Sequence, residues 1–166
     1  MIGFLLLLVS FAASSVPDDS LQSLFVIERS INANVVRYDA QIGKDGALNP
    51  REPVIVYWVM AAEDGRRQNL TSLERKHAYG FTINRDPSDQ SYWMALASQK
   101  HMRIHIYQEG DKVRAVTLIA GRQAFLRKIY VKTRRWELLW TADYFELFGN
   151  SVTTGEDCYE KVTPQN

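Results

Sequence analysis

A mainly β fold is predicted, either an antiparallel up-and-down barrel of calycin-like size or a two-sheet sandwich of 8–10 strands, with one short helix. Three observations predict it. From Leu24 onward apolar and polar residues alternate with a period of two, the signature of strands buried on one face. Turn residues recur at short, fairly regular intervals. After Tyr79 the connections are shorter than the dozen or so residues that a parallel crossover needs, so successive strands are expected to be antiparallel neighbours. At 166 residues, 46% hydrophobic and 23% charged, the chain has the length and composition of one folded domain that needs no disulfide or metal staple.

Taken in order, the runs "LFVIER", "NVVRYDAQI" and "PVIVYWVM" read as strands, with "SINAN" and "KDG" as reversals. Asp45-Gly46 is the sharpest turn signal, because glycine adopts positive φ without steric cost. In "NLTSLERKHAYG", Thr71 and Glu74 have the spacing of a capping box and Gly80 stands where a helix should stop. A helix of about two turns cannot stand alone, so it is expected to pack on the sheet as a lid or plug. The strand pattern resumes in "AYGFTINR", "SYWMALAS", "HMRIHIYQ", "KVRAVTLIA", "QAFLRKIYVKT", "DYFELFG" and "CYEKV".

The amino terminus is different. An apolar block, Ile2 to Phe11, followed by small residues reads as a signal peptide over 1–15, despite lacking a basic n-region. The block falls short of the roughly 20 apolar residues of a spanning helix. The expected organisation is a signal peptide at 1–15, a flexible mature amino terminus at 16–23 and a single β domain at 24–163. This implies an exported protein, periplasmic or extracellular, with no stable membrane span after cleavage.

Several chemistries are excluded. The single cysteine, Cys158, rules out an intramolecular disulfide, thiolate zinc sites and Cys-x-x-Cys redox chemistry. A net charge of +1 argues against a nucleic-acid partner. "HMRIH" places His101 and His105 four apart, but the segment reads as a strand, where four residues span roughly 13 Å and cannot hold one metal. It sorts instead into an outward set, His101, Arg103, His105 and Tyr107, and an inward set, Met102, Ile104 and Ile106. There is no Gly-x-Ser-x-Gly elbow, phosphate loop or dinucleotide fingerprint, and neither metal nor cofactor is expected.

Charges inside strands are the informative feature. The run Arg122 to Arg135 holds six Lys or Arg among 14 residues and no acid. Strict alternation puts Arg127 on the same face as Phe125, Ile129 and Val131. A charge in such company must be paired, reach a rim or meet an anionic ligand. Arg29 repeats the pattern beside Phe25 and Ile27, while Glu28 aligns with Val26. An internal Glu–Arg pair and a polar cluster at a barrel mouth are the two readings. Tyr57, Trp58, Tyr92, Trp93, Trp136 and Trp140 line a pocket or fill the core.

The blocks "RSINANVVRYDA", "NPREPVIVYWVM", "LERKHAYGF" and "YFELFGNSVTTGEDCYEKV" together resemble the domain of unknown function 4833 family, in order and spacing over nearly all of the chain after the signal segment. The resemblance brings no activity. It implies that Arg29, Ser30, Asn32 and Asn34, then Tyr57 and Trp58, then Lys76, Tyr79 and Gly80 are the family's marked positions, with no role assigned to them.

The function expected first is binding of a small molecule, or of an anionic or lipidic envelope component, without catalysis. Its candidate residues are Arg29, Asn34, Tyr57, Lys76, Tyr79 and Arg127. The second expectation is a hydrolase or isomerase using Glu28, Tyr57 or His77, which requires titratable groups within hydrogen-bond reach in a cleft. The third is a structural or interaction protein that docks through its basic strand or an open sheet edge.

Overall fold

A computed structural model describes residues 20–136 and 139–163, apart from the side chains of 135–140. The expected signal peptide lies outside the described residues, as do the side chains of Trp136 and Trp140. The chain runs β1 (Leu21–Arg29), β2 (Asn32–Gln41), β3 (Val54–Val59), β4 (Arg67–Gln68), α1 (Ser72–His77), β5 (Phe81–Arg85), β6 (Tyr92–Leu96), β7 (Gln99–Glu109), β8 (Lys112–Ile119), β9 (Arg122–Trp136), β10 (Leu139–Ser151) and β11 (Asp157–Val162). The mainly β class with one short helix is therefore observed. Leu21 to Ser23, expected in a flexible amino terminus, belong to β1.

All the strands join one sheet in the order β4-β3-β2-β1-β9-β8-β7-β6-β5, with β10 on the other edge of β9 and β11 beyond it. The sheet does not close into a barrel, and its connectivity is not up-and-down. Strand β9 is the hinge. Its first residues, Arg122 to Phe125, pair antiparallel with β8, whereas Lys128 to Val131 pair parallel with β1. The successive strands after Tyr79 are antiparallel neighbours, as expected, and the parallel pairing of β1 with β9 makes the sheet a mixed one. That pairing is reached through all the intervening strands rather than by a local crossover, so no loop length announces it.

Two half-sheets therefore diverge from β9, β1 to β4 on one side and β8 to β5 on the other, and bury their inner faces together. Phe25, Val36, Tyr38 and Trp58 from the first join Met94, Leu96, Ile104 and Ile106 from the second in one apolar cluster. Tyr38 stacks on Phe25 with centroids 4.4 Å apart and reaches across to Phe81 of β5 at 6.2 Å. Burying each such side chain stabilises the fold by roughly 1.5–3 kcal/mol. The predicted parity of β7 holds: Ile104 and Ile106 are fully buried and Met102 packs on the core, while His101, Arg103 and His105 face outward.

In β9 the parity breaks. Leu126 pairs with Gly149 and Lys128 with Phe148, leaving Arg127 as the extra residue of a β-bulge. Leu126 and Ile129 both point inward as a result. Arg127 faces solvent and pairs with Asp157 at 3.0 Å, rather than sitting among apolar neighbours.

Helix α1 begins at the predicted capping box: Thr71 Oγ1 accepts from Glu74 N, and Glu74 Oε2 accepts from Thr71 N at 2.8 Å. None of its residues is buried, so it braces the rim and does not plug the interior. Gly80 matters through close approach, since a Cβ there would lie 1.9 Å from the Arg75 carbonyl oxygen.

Candidate functional site

At one end of the two half-sheets, beside the helix, lies a cavity of about 270 Å³. Its walls come from β1, β9 and β10 on one side and from the β6–β7 turn on the other, with Ile27, Met102, Ile129, Val131 and Phe145 making them mostly apolar. Arg29, at the end of β1, lines it together with Tyr79 and Thr133.

The surroundings of Arg29 are unusual for a cation. Its guanidinium carbon sits 4.3 Å from the centroid of the Trp58 ring and 6.0 Å from that of Tyr79, contacts that stabilise by roughly 0.5–2 kcal/mol. Its hydrogen bonds are long: Nη1 donates to Tyr79 Oη and Nη2 to Asn32 Oδ1, both at 3.4 Å. The Nε–H is buried with no partner. No carboxylate pairs with Arg29 among the described residues. Arg114, whose Nε is also without a hydrogen bond, at least has Glu109 at 3.9 Å.

The nearest candidates to neutralise Arg29 are engaged elsewhere. Glu28, its neighbour in sequence, projects to the opposite face and pairs with Lys128 at 3.1 Å, so the expected Glu–Arg pair does not form. Glu74 closes the capping box with one oxygen and accepts the Trp58 Nε1–H with the other at 3.2 Å. A chain of contacts thus runs from the cap of α1 through Trp58 to Arg29. It fixes the ring under the guanidinium without cancelling the charge.

Tyr79 is held from both ends. Its carbonyl accepts the Tyr38 hydroxyl at 2.5 Å and its ring meets Trp58 edge-on at 5.1 Å. Burial pushes the Tyr79 phenol above its ordinary pKa, against the opposing pull of Arg29. The hydroxyl therefore stays protonated and can donate to a bound anion at neutral pH. Below the cavity, Ser30 and Thr133 exchange a 3.0 Å hydroxyl contact, and Thr133 N donates to Ser30 Oγ at 3.0 Å, tying β1 to β9.

Of the other candidate residues from the sequence, His77 borders this cavity from the exposed end of α1, and the rest lie elsewhere. Asn34 is buried, but its Oδ1 accepts from Ala62 N at 2.8 Å and so pins the loop after β3. Tyr57 lies on the opposite face of the sheet from the core, donating to Asp39, which also pairs with Arg37 at 2.7 Å. Lys76 is exposed on α1, in a last turn made basic by Arg75, Lys76 and His77, where positive charge complements the helix dipole. The acid–base set Glu28, Tyr57 and His77 is dispersed: one outward beside Lys128, one with Asp39, one exposed at the helix end.

A hydroxyl and an imidazole do meet elsewhere, with Ser91 Oγ 2.7 Å from His105 Nε2. Ser91 is buried and its main chain closes the β5–β6 turn through Asp86 and Asp89. With His105 stacked on Trp93 at 4.5 Å, the contact reads as a tie between β7 and that turn. Alternation along the sequence could not have found the cavity residues Met102, Thr133 and Phe145. They sit on β7, β9 and β10, and periodicity reports only that such residues face inward, not that they meet.

Among the described residues there is no cluster of His, Cys, Asp or Glu that could hold a metal, and no helix is long and apolar enough to cross a membrane. Neither the curated proteins nor the solved structures include one that matches this chain. A family model, by contrast, matches residues 25–161, from the second half of β1 to the end of β11. The chain belongs to the family described as a domain of unknown function, DUF4833.

Proposed function

We propose that this protein binds a small anionic amphiphile, its carboxylate on Arg29 and its apolar part in the adjoining cavity, without catalysing a reaction on it. The observation that carries the reading is a guanidinium facing an apolar cavity with two long hydrogen bonds, one buried unpartnered N–H and no carboxylate partner. Charge-assisted, two-pronged contacts between guanidinium and carboxylate are the strongest hydrogen bonds available to side chains. The Tyr79 hydroxyl stands beside the cation as a second donor, and Trp58 holds the guanidinium plane in place. The apolar block at the amino terminus supports export, which would put the site in the envelope or outside the cell.

Isothermal titration with octanoate tests the reading. Wild-type protein should bind it, and Arg29→Gln should weaken binding about tenfold or more, the share of a charged hydrogen bond. The variant should keep a cooperative thermal transition, because it loses only the contact with Trp58 and two long hydrogen bonds. Absence of binding to wild type, or equal binding by both proteins, would overturn the proposal.

A further inference from the structure

A second concavity of about 670 Å³ lies along the flank of the molecule, between β7 and the β10–β11 hairpin. Gln99, Met102 and Phe145 line both it and the cavity beside Arg29, so one shell of side chains separates the two. The reason for the opening is topological. The β7–β8 ladder ends at His105 and Val116. Among the described residues, the first half of β7, from Gln99 to Ile104, therefore pairs with β6 on one side and with no strand on the other. Thr117 Oγ1 caps one free carbonyl there, that of Arg103, at 2.9 Å. Leu147, Val162 and Leu118, the last 60% exposed, give the groove an apolar strip, with Glu160 and the β7 side chains of His101 and Arg103 along its edges.

Resting on the proposed carboxylate site, we infer that the ligand is a long-chain monocarboxylate whose alkyl chain passes between Met102 and Phe145 into this flanking groove. The first cavity alone, at about 270 Å³, falls short of the roughly 300–1,000 Å³ typical of ligand sites, and the two joined lie within that range. One permanent cation at the head end matches a single negative charge. The constriction is made by a methionine, the apolar side chain that repacks most easily. Leu118 and Val152 leave apolar surface exposed at the groove, which an alkyl tail would cover.

Titration with butyrate, octanoate and myristate separates this inference from the reading on which it rests. Each buried methylene can raise affinity by up to about fourfold, so octanoate should bind more tightly than butyrate and myristate at least about tenfold more tightly than octanoate. In Met102→Trp, which narrows the passage, myristate should bind no more tightly than octanoate, so that the gain from the longer chain is lost. Leu118→Asp, an exposed substitution that avoids any repacking, should weaken myristate alone. If affinity stops rising at octanoate and Leu118→Asp leaves myristate unaffected, the chain does not use the groove, although Arg29-dependent binding of octanoate would still stand. If no carboxylate of any length binds, the site itself falls and the inference with it.

Discussion

Two charged side chains in neighbouring strands show how partners decide what a residue can do. Asp39 is fully buried on the face opposite the core, and two groups compensate its charge and lone pairs: the Arg37 guanidinium at 2.7 Å and the Tyr57 hydroxyl. Arg67 lies over the Tyr57 ring at 4.5 Å and closes the cluster from outside. The hydrogen bond to Asp39 raises Arg37 above its ordinary pKa, while burial, reinforced by the bond to Asp39, pushes the Tyr57 phenol up to about 12. Everything here is satisfied, which marks a structural cluster. Arg29 is the opposite case, a cation with rings beneath it and no acid beside it. Tyr57→Phe leaves Asp39 with Arg37 alone and should cost about 1–3 kcal/mol in urea unfolding at neutral pH, the penalty for removing one partner of a buried group. The alkaline limb carries a second signature. The unfolded phenol loses its proton near pH 10 and the folded one only near 12. Its contribution is therefore complete below pH 10 and is lost as pH rises through 12. Buried Tyr38 and Tyr79 shift in the same direction, so Tyr57→Phe should shallow the fall in stability above pH 10 without abolishing it.

At the scale of elements, what could be foreseen was whatever local chemistry encodes. The capping box at Thr71 and Glu74, the inward run Met102, Ile104 and Ile106, and the turn at Gly46, with φ of +78°, all follow from neighbours in sequence. Strand β9 did not yield to the same reasoning. Alternation assumes an unbroken ladder, and a bulge inserts one residue and reverses every face beyond it. Arg127 is that residue, so the charge that alternation buries is on the surface, and the only trace of the bulge is across the ladder at Gly149. A Cβ on Gly149 would lie 2.5 Å from the Phe125 carbonyl oxygen and 2.8 Å from Ile119 Cδ1. The first is backbone and cannot step aside. Gly149→Ala should therefore destabilise by about 1–3 kcal/mol, as overpacking in a filled interior does. At Gly46 no atom stands within 4 Å of a new Cβ and only the positive φ is demanding. Asparagine tolerates that conformation, so Gly46→Asn should stay within about 0.5 kcal/mol of wild type, the usual range for surface substitutions. Urea midpoints of the two variants, measured side by side, check the contrast.

For the whole molecule, the decisive contact is the one that local pattern could not show. Hairpins announce themselves through short turns, but β1 meets β9 across about a hundred residues, and only the assembled sheet brings Val26 opposite Lys128. This seam makes one body of two half-sheets and places Arg29, on β1, against the cavity walls of β9 and β10. It also makes the last three strands indispensable. Without them the core loses Leu126, Ile129, Phe145 and Leu147, each contributing roughly 1.5–3 kcal/mol of burial. The sum is comparable with the whole net stability of a domain, about 5–15 kcal/mol. It would leave β1 and β8 as open edges with an apolar face between them. A chain ending at Gly121 should therefore lack a cooperative thermal transition and bind a hydrophobic dye such as ANS. Adding residues 122–166 as a separate polypeptide should restore the transition. If the shortened chain instead unfolded cooperatively by itself, the half-sheets would be independent units and the seam would position the site without holding the fold together.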